Sequence, residues 1–414
     1  MDRRTFLKGS AAVVGTVAMP KLYAQAQGAP EKIRFGACPL LSGPMAGAAM
    51  STTVGQYRLW EKLTNEAGGL MLSKYGKKVP VEMVLYDSRM DDNENIKLTE
   101  KLILDDKVDM FLAPWGTQFN LAAAPITNKY EYPVIYTTAG AEILYEQGKN
   151  WPYAFWSLSQ PIESTQPLVD LVVQTKKEGK SSGKCAVLYD GFELGIEMHN
   201  AFERLAKEAG LDIVFSEAIP PGTSDLQPLV RKAQASNPDA FFAFTYPNST
   251  FPIAAQARTI GFSPDIFYVA IGGVFPGFRD ANGGAAGVEG VLAYGAQDPS
   301  NPGYDEYAAA LKAAFPDQPW AQEPEAGGVQ VYGCLQAVQW AIEAVGEIDR
   351  PKIRDWIAQG VKGTLYGDLV WDENHLNVNA WSVGQWQGGK LVGVYPANKA
   401  GAKPVIFPKP KWTT

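Results

Sequence analysis

The sequence predicts an α/β fold in two lobes, each built on a parallel sheet flanked by helices. Three observations predict it. Short apolar runs alternate with stretches of helical period over residues 32–144, and again over residues 165–294. A stretch that fits neither pattern, residues 151–157 (WPYAFWS), separates the two series. The chain of 414 residues, 46% hydrophobic and 20% charged, is too long for one ordinary core and rich enough in apolar side chains for two.

In chain order, residues 32–39 (KIRFGACP) alternate into a first strand, and LLSGPMAGAAMSTTVG follows, small enough for close backbone approach. A helix with Val54, Tyr57 and Trp60 on one side ends at Gly68-Gly69, and residues 79–87 (VPVEMVLYD) read as the second strand. Asp91-Asp92-Asn93 caps a helix to Lys107. In the second series, strands are expected at 185–189, 212–218, 240–245, 266–269 and 291–294. Helices are expected over 165–177 and from Leu194, where Met198, Ala201, Phe202 and Leu205 share one face. The polar link 298–302 returns the chain to the first lobe, where helices over 304–314, 325–345 and 351–359 pack. Alternating segments 381–386 and 390–395 around Gly388-Gly389 form a terminal hairpin.

The stretch with most chemical content is residues 108–144. Met110 to Ala113 reads as a buried strand, Pro114-Trp115-Gly116 breaks it, and Thr117 or Gln118 opens a helix through Asn128. Val134-Ile135-Tyr136 is the next strand and Thr137-Thr138-Ala139-Gly140 the turn after it. Ligands bind outside the carboxyl ends of strands in open parallel sheets. A polar turn feeding a helix N-terminus suits an anionic group there.

The N-terminus is an address. Asp2-Arg3-Arg4-Thr5-Phe6-Leu7-Lys8 matches a twin-arginine export motif, lacking only the Ser or Thr often placed before the arginines, and Ala24-Gln25-Ala26 offers a cleavage site. Loss of residues 1–26 removes four basic residues and one acidic residue, moving the formal charge from −7 to −10. So acidic a domain is unsuited to nucleic acid. No internal run reaches the roughly 18 apolar residues of a membrane span. Cys38, Cys185 and Cys334 show no CxxC spacing and read as buried apolar thiols.

The inventory argues against an enzyme. Only His199 and His375 exist, GKSSGK is one residue short of a phosphate loop, and no GxGxxG is present. No metal site or cofactor is expected.

IRFGACPLLSGPMAGAA, FLAPWGTQFNLAAAPI with PVIYTTAG, VLYDGFELG, AQARTIGF and GDLVWDENH, in this order, resemble type I periplasmic binding proteins. Within that family they are similar to the leucine/isoleucine/valine-binding-protein-like solute receptors of ABC importers. The resemblance implies an α/β fold of two Rossmann-like lobes with parallel central sheets joined by three crossovers. Residues 27–156 and 296–379 would form lobe 1, and 157–295 and 380–414 lobe 2. It implies a monomeric periplasmic receptor that closes on a small solute, passes it to an inner-membrane ABC permease and catalyses nothing.

It also implies contacts. Trp115, Gly116, Thr117, Gln118, Thr138 and Gly140 stand in the turns that hold a ligand carboxylate, with Tyr136 beside them. Phe192, Tyr246 and Gly272 stand in the second-lobe turns. An ordinary core role is the competing reading for Trp115 and Tyr136. Amino-acid binders of the family usually carry an acid at the position of Gly272, and an arginine where this chain has Trp156. With Trp115, Tyr136, Trp156, Phe192, Tyr246 and Phe275 expected near the cleft, the ligand expected is a small carboxylate with an aromatic or branched apolar body. A branched-chain or other amino acid is the runner-up, with Glu193 or Asp190 as substitute acids. A receptor feeding a membrane signalling protein is the other alternative.

Overall fold

The computed structural model describes residues 28–220 and 222–412; the twin-arginine segment lies outside the described residues. In the first lobe, Ile33–Ala37 is the central strand, paired in parallel with Val81–Leu85 on one side and Met110–Phe111 on the other. Val134–Tyr136 pairs in parallel with Ala154–Trp156. Helices cover both faces, so these strands are largely apolar, Arg34 and Glu82 pairing at 3.3 Å on neighbouring strands.

The second lobe is one seven-stranded sheet. Its parallel part runs Leu292–Tyr294, Ile266–Val269, Ala240–Phe244, Lys184–Asp190, Asp212–Ile219 in spatial order. The terminal hairpin, Val383–Gln387 with Lys390–Tyr395, extends it antiparallel beyond Leu292–Tyr294. Ala240–Phe244 shows how the pleat sorts side chains: Phe242 and Phe244 enter one core, Phe241 and Ala243 the other. A slip of one residue would exchange the two sets.

Three passages connect the lobes, after Ala154–Trp156, after Leu292–Tyr294, and before Val383–Gln387. They are tied together where they run side by side. Asn377 N–H donates to the Trp156 carbonyl at 2.9 Å and its amide to the Ser157 carbonyl at 3.3 Å. The Tyr294 hydroxyl donates to the Ser159 carbonyl. Gln330 reaches the Ser157 hydroxyl at 3.0 Å.

Two sequence expectations change. The strand expected over 79–87 is two strands, because Pro80 has no N–H to continue a ladder. Lys77–Val79 folds back on Leu70–Leu72, and Val81–Leu85 joins the main sheet. The helix expected around Val54 begins earlier, as Ala46–Ala49 and a π-helical turn, Met50–Val54, running into Gly55–Glu66. That wide turn brings Thr52 to the interlobe cleft. Cys38, Cys185 and Cys334 are free and buried, and burial pushes each thiol up to about 12.

The Asn377 side chain also accepts the Val370 and Asn379 N–H groups, each at 3.1 Å. Asn377→Ala therefore strands three backbone groups at the passages and should lower unfolding stability by about 2–3 kcal/mol. Urea unfolding checks this; a loss below about 0.5 kcal/mol would mean the passages are held by other contacts.

Candidate functional site

The lobes are closed. Leu40, Met45, Ala49 and Trp115 of the first lobe share one apolar cluster with Leu194, Tyr246 and Tyr294 of the second. Between them lies a partly enclosed cleft. Trp115, Tyr246, Phe275, Tyr294, Tyr366 and Trp381 form its aromatic wall, and Leu158, Leu194, Ile271 and Val274 add aliphatic surface. Among the described residues lining it there is no Lys, Arg or His.

The Trp115 and Tyr246 rings meet across the cleft with centroids 5.9 Å apart. Each sits in the turn between a strand and a helix, where the backbone leaves the sheet. Phe192 buttresses Tyr246 edge-on at 5.8 Å from behind the wall. The Tyr246 hydroxyl pairs with Thr117, and burial pushes it well above the usual phenol range.

Gly116 has φ 101° and is the N-cap of the helix Thr117–Lys129. A side chain there would be strained, and glycine brings no capping oxygen, so the first-turn N–H groups are left open. The Thr138 hydroxyl accepts from Gly116 N–H at 2.9 Å and from the Asn120 amide at 3.0 Å, and donates to the Pro114 carbonyl at 3.3 Å. It is fully used in joining the two turns. Thr137, one residue earlier, lines the same cleft, and its buried hydroxyl has no partner within the protein.

Acids stand at two further helix starts. Asp190 accepts the Tyr246 N–H at 2.7 Å and the Ser249 hydroxyl at 2.6 Å beside the helix Pro247–Thr259. Burial raises its pKa against those two bonds. Glu325 caps the helix Ala326–Val345, its oxygens accepting Gly327 N–H at 2.7 Å and Gly328 N–H at 2.8 Å. It is 3% exposed and lines the cleft. Burial pushes its carboxyl up to about 7, although the Gly327 and Gly328 N–H groups and the Thr52 hydroxyl favour the ionised form.

The expected residues divide accordingly. Trp115, Gly116, Thr138 and Tyr246, and with them Phe275, line the cleft. Thr117 lies just behind, its hydroxyl accepting the Gly140 N–H at 3.3 Å. Gly140 is not in the wall, but a Cβ there would stand 3.1 Å from Leu194 and 3.3 Å from the Tyr294 hydroxyl, so its glycine permits the lobes' approach. Gln118 is half-buried outside the wall. Gly272 is also outside it; a Cβ would collide with Thr250 at 2.3 Å, so that glycine serves packing, and its neighbour Ile271 reaches the cleft.

Tyr136 and Trp156 are corrections. Their rings stack at 4.6 Å in the first-lobe core, both fully buried, and the Tyr136 hydroxyl pairs with Thr127 at 2.7 Å. The pleat turns Tyr136 to the same core as Val134, away from the cleft. Asp190 is another correction, because it is occupied by the Tyr246 N–H and the Ser249 hydroxyl and lies outside the wall. Thr52, Thr137, Leu158, Tyr294, Glu325, Gln330, Tyr366 and Trp381 were not foreseen. Only Glu325 left a sequence signal, an acid ahead of Ala326-Gly327-Gly328 where a helix begins.

This geometry of two α/β lobes closing on an aromatic cleft has relatives. The profile described as periplasmic binding protein matches residues 32–390. The chain belongs to the periplasmic binding protein family. The twin-arginine translocation signal profile matches residues 1–20, so this periplasmic binding protein is addressed to the periplasm. It is 25% identical over 392 residues to Leu/Ile/Val-binding protein homolog 8 of Brucella abortus, covering 90% of this chain and 92% of that one. Among solved structures it resembles an R. palustris ABC-transporter solute-binding protein in complex with benzoate. That match has TM-score 0.72 and 18% identity, over 91% of this chain and 99% of the other. It also resembles a branched-chain amino acid transporter substrate-binding protein of Streptococcus pneumoniae in complex with isoleucine. There the TM-score is 0.71 and the identity 20%, over 87% and 97% of the two chains.

The two neighbouring threonines should behave oppositely. Thr138→Val breaks three hydrogen bonds and should cost about 1–3 kcal/mol of ligand-free stability. Thr137→Val removes an unpaired buried hydroxyl and should leave stability unchanged or raised. Thermal unfolding of both variants checks this, and equal losses would contradict the division of roles.

Proposed function

We propose that this periplasmic binding protein captures a small carboxylate with an aromatic or branched apolar body and delivers it to an inner-membrane ABC permease. It acts as a monomer and binds without catalysis. Residues 27–156 with 296–379, and 157–295 with 380–414, are the two bodies that close. The observation that carries the proposal is the composition of the cleft: an aromatic and aliphatic wall, no basic side chain among the described lining residues, and an open helix start at Gly116 beside the unpartnered Thr137 hydroxyl. The N–H groups and Thr137 take the carboxylate, and Trp115, Tyr246 and Phe275 take the body. Magnitudes set the order of importance. A phenyl-sized body burying on the order of 150 Å² gains about 4 kcal/mol, whereas a helix end contributes about 1 kcal/mol to an anion. Affinity therefore follows the body, and the helix end sets orientation. The benzoate complex of the R. palustris neighbour accords with this choice.

One observation favours the second reading, a free amino acid. Glu325 supplies a carboxylate to the cleft from the first lobe, where the position of Gly272 in the second supplies none. The isoleucine complex of the S. pneumoniae neighbour accords with that choice. Calorimetry with matched pairs separates them: phenylpropionate against phenylalanine, and 4-methylvalerate against leucine. The carboxylic acid lacking the amine should bind more tightly in at least one pair, by tenfold or more. Amino acids binding tenfold tighter in both pairs would overturn the proposal.

A further inference from the structure

Glu325 raises a question that the carboxylate reading does not answer by itself. A second anion must enter the closed cleft that this buried acid already lines. Among the described residues, the elements packed around Glu325 supply no compensating cation. Thr52 faces it from the π-helical turn. Behind Gly328, Gln56 of Gly55–Glu66 is bonded to the Tyr307 hydroxyl of Tyr304–Ala314 at 2.9 Å. Tyr246, Tyr294 and Tyr366 stand in the shared wall, and burial pushes these hydroxyls, with that of Tyr307, far up, so all stay neutral. Two residues before it, Glu323 is already matched by Arg279, a bidentate pair at 2.9 and 3.1 Å. Two carboxylates in one cleft with no cation between them raise each other's pKa, and a proton on one of them relieves the repulsion.

Resting on the carboxylate reading, we propose that Glu325 is a specificity-determining residue that becomes protonated as the lobes close, so that the receptor binds one proton from solvent with each carboxylate. The proton goes to a Glu325 carboxyl oxygen, and no other bond is made or broken. A neutral carboxyl can still accept the Gly327 and Gly328 N–H groups, so the helix cap survives. The sign of the linkage follows. In the closed cleft burial pushes the Glu325 carboxyl up to about 7, and a ligand carboxylate in the same cleft raises it further, so above that pH binding must recruit the proton and affinity falls by up to about tenfold per pH unit. An ammonium-bearing ligand would do the reverse, keeping Glu325 ionised and releasing protons.

The test is titration calorimetry of the mature protein with phenylpropionate, at pH 8 in Tris and in HEPES, whose ionisation enthalpies differ. The expected result is a buffer-dependent enthalpy corresponding to uptake of more than about half a proton per ligand. Affinity should weaken about tenfold from pH 7.5 to 8.5. Glu325→Gln, neutral at every pH, should bind with no buffer dependence and a flat profile; a merely structural role would leave the wild-type slope in place. Tight binding without proton exchange, or with proton release, would overturn this inference and leave the carboxylate reading standing. No binding of phenylpropionate or 4-methylvalerate at pH 6 would overturn both. The wild-type buffer comparison decides the matter even if the variant does not fold.

Discussion

The contact between Trp115 and Tyr246 is what the rest of the cleft depends on. Each ring leaves the carboxyl end of a strand in its own lobe, and they meet only when the lobes are closed. An aromatic pair adds about 0.5–1.5 kcal/mol beyond the area it buries. Two bidentate pairs flank it, Arg204 with Glu142 and Arg279 with Glu323, each joining one lobe to the other. Both are partly exposed, so each is worth about 0–1 kcal/mol and chiefly fixes the closing angle. A closed state held by such modest terms is one that a ligand can tip.

Hydrogen bonding within the protein decides which polar groups remain for a ligand. Several helices begin at the cleft, among them those after Gly116, Tyr246, Phe275 and Glu325. At the second start Asp190 accepts the Tyr246 N–H, and Glu325 caps its own helix. Glycine at the first carries no side chain to do the same, and Thr138 is spent on joining the turns. The helix start at Gly116 and the Thr137 hydroxyl remain for a ligand, and we propose them as the carboxylate's partners. Among the described lining residues Glu325 is the one acid, held at the cleft by its own helix start.

Most of the fold was legible because buried strands leave continuous apolar runs; AFFAF and VIY could hardly be anything else. The turns around Trp115 and Tyr246 were legible for the same reason, as polar breaks directly after such runs. Tyr136 was misplaced because a three-residue strand buried on both faces gives no periodic cue to which face a side chain takes. Leu158, Tyr294 and Trp381 lie at or beside the interlobe passages, and their role arises from tertiary assembly that no local pattern encodes. Glu325 was visible only as a helix start, since a capping acid and a cleft acid look alike in sequence.

We propose that the lobes close around a carboxylate and open without it. Small-angle X-ray scattering of the mature protein, with and without saturating phenylpropionate, tests this most directly. A smaller radius of gyration with ligand is the predicted result. An unchanged radius, at a ligand concentration that calorimetry shows to be saturating, would contradict it.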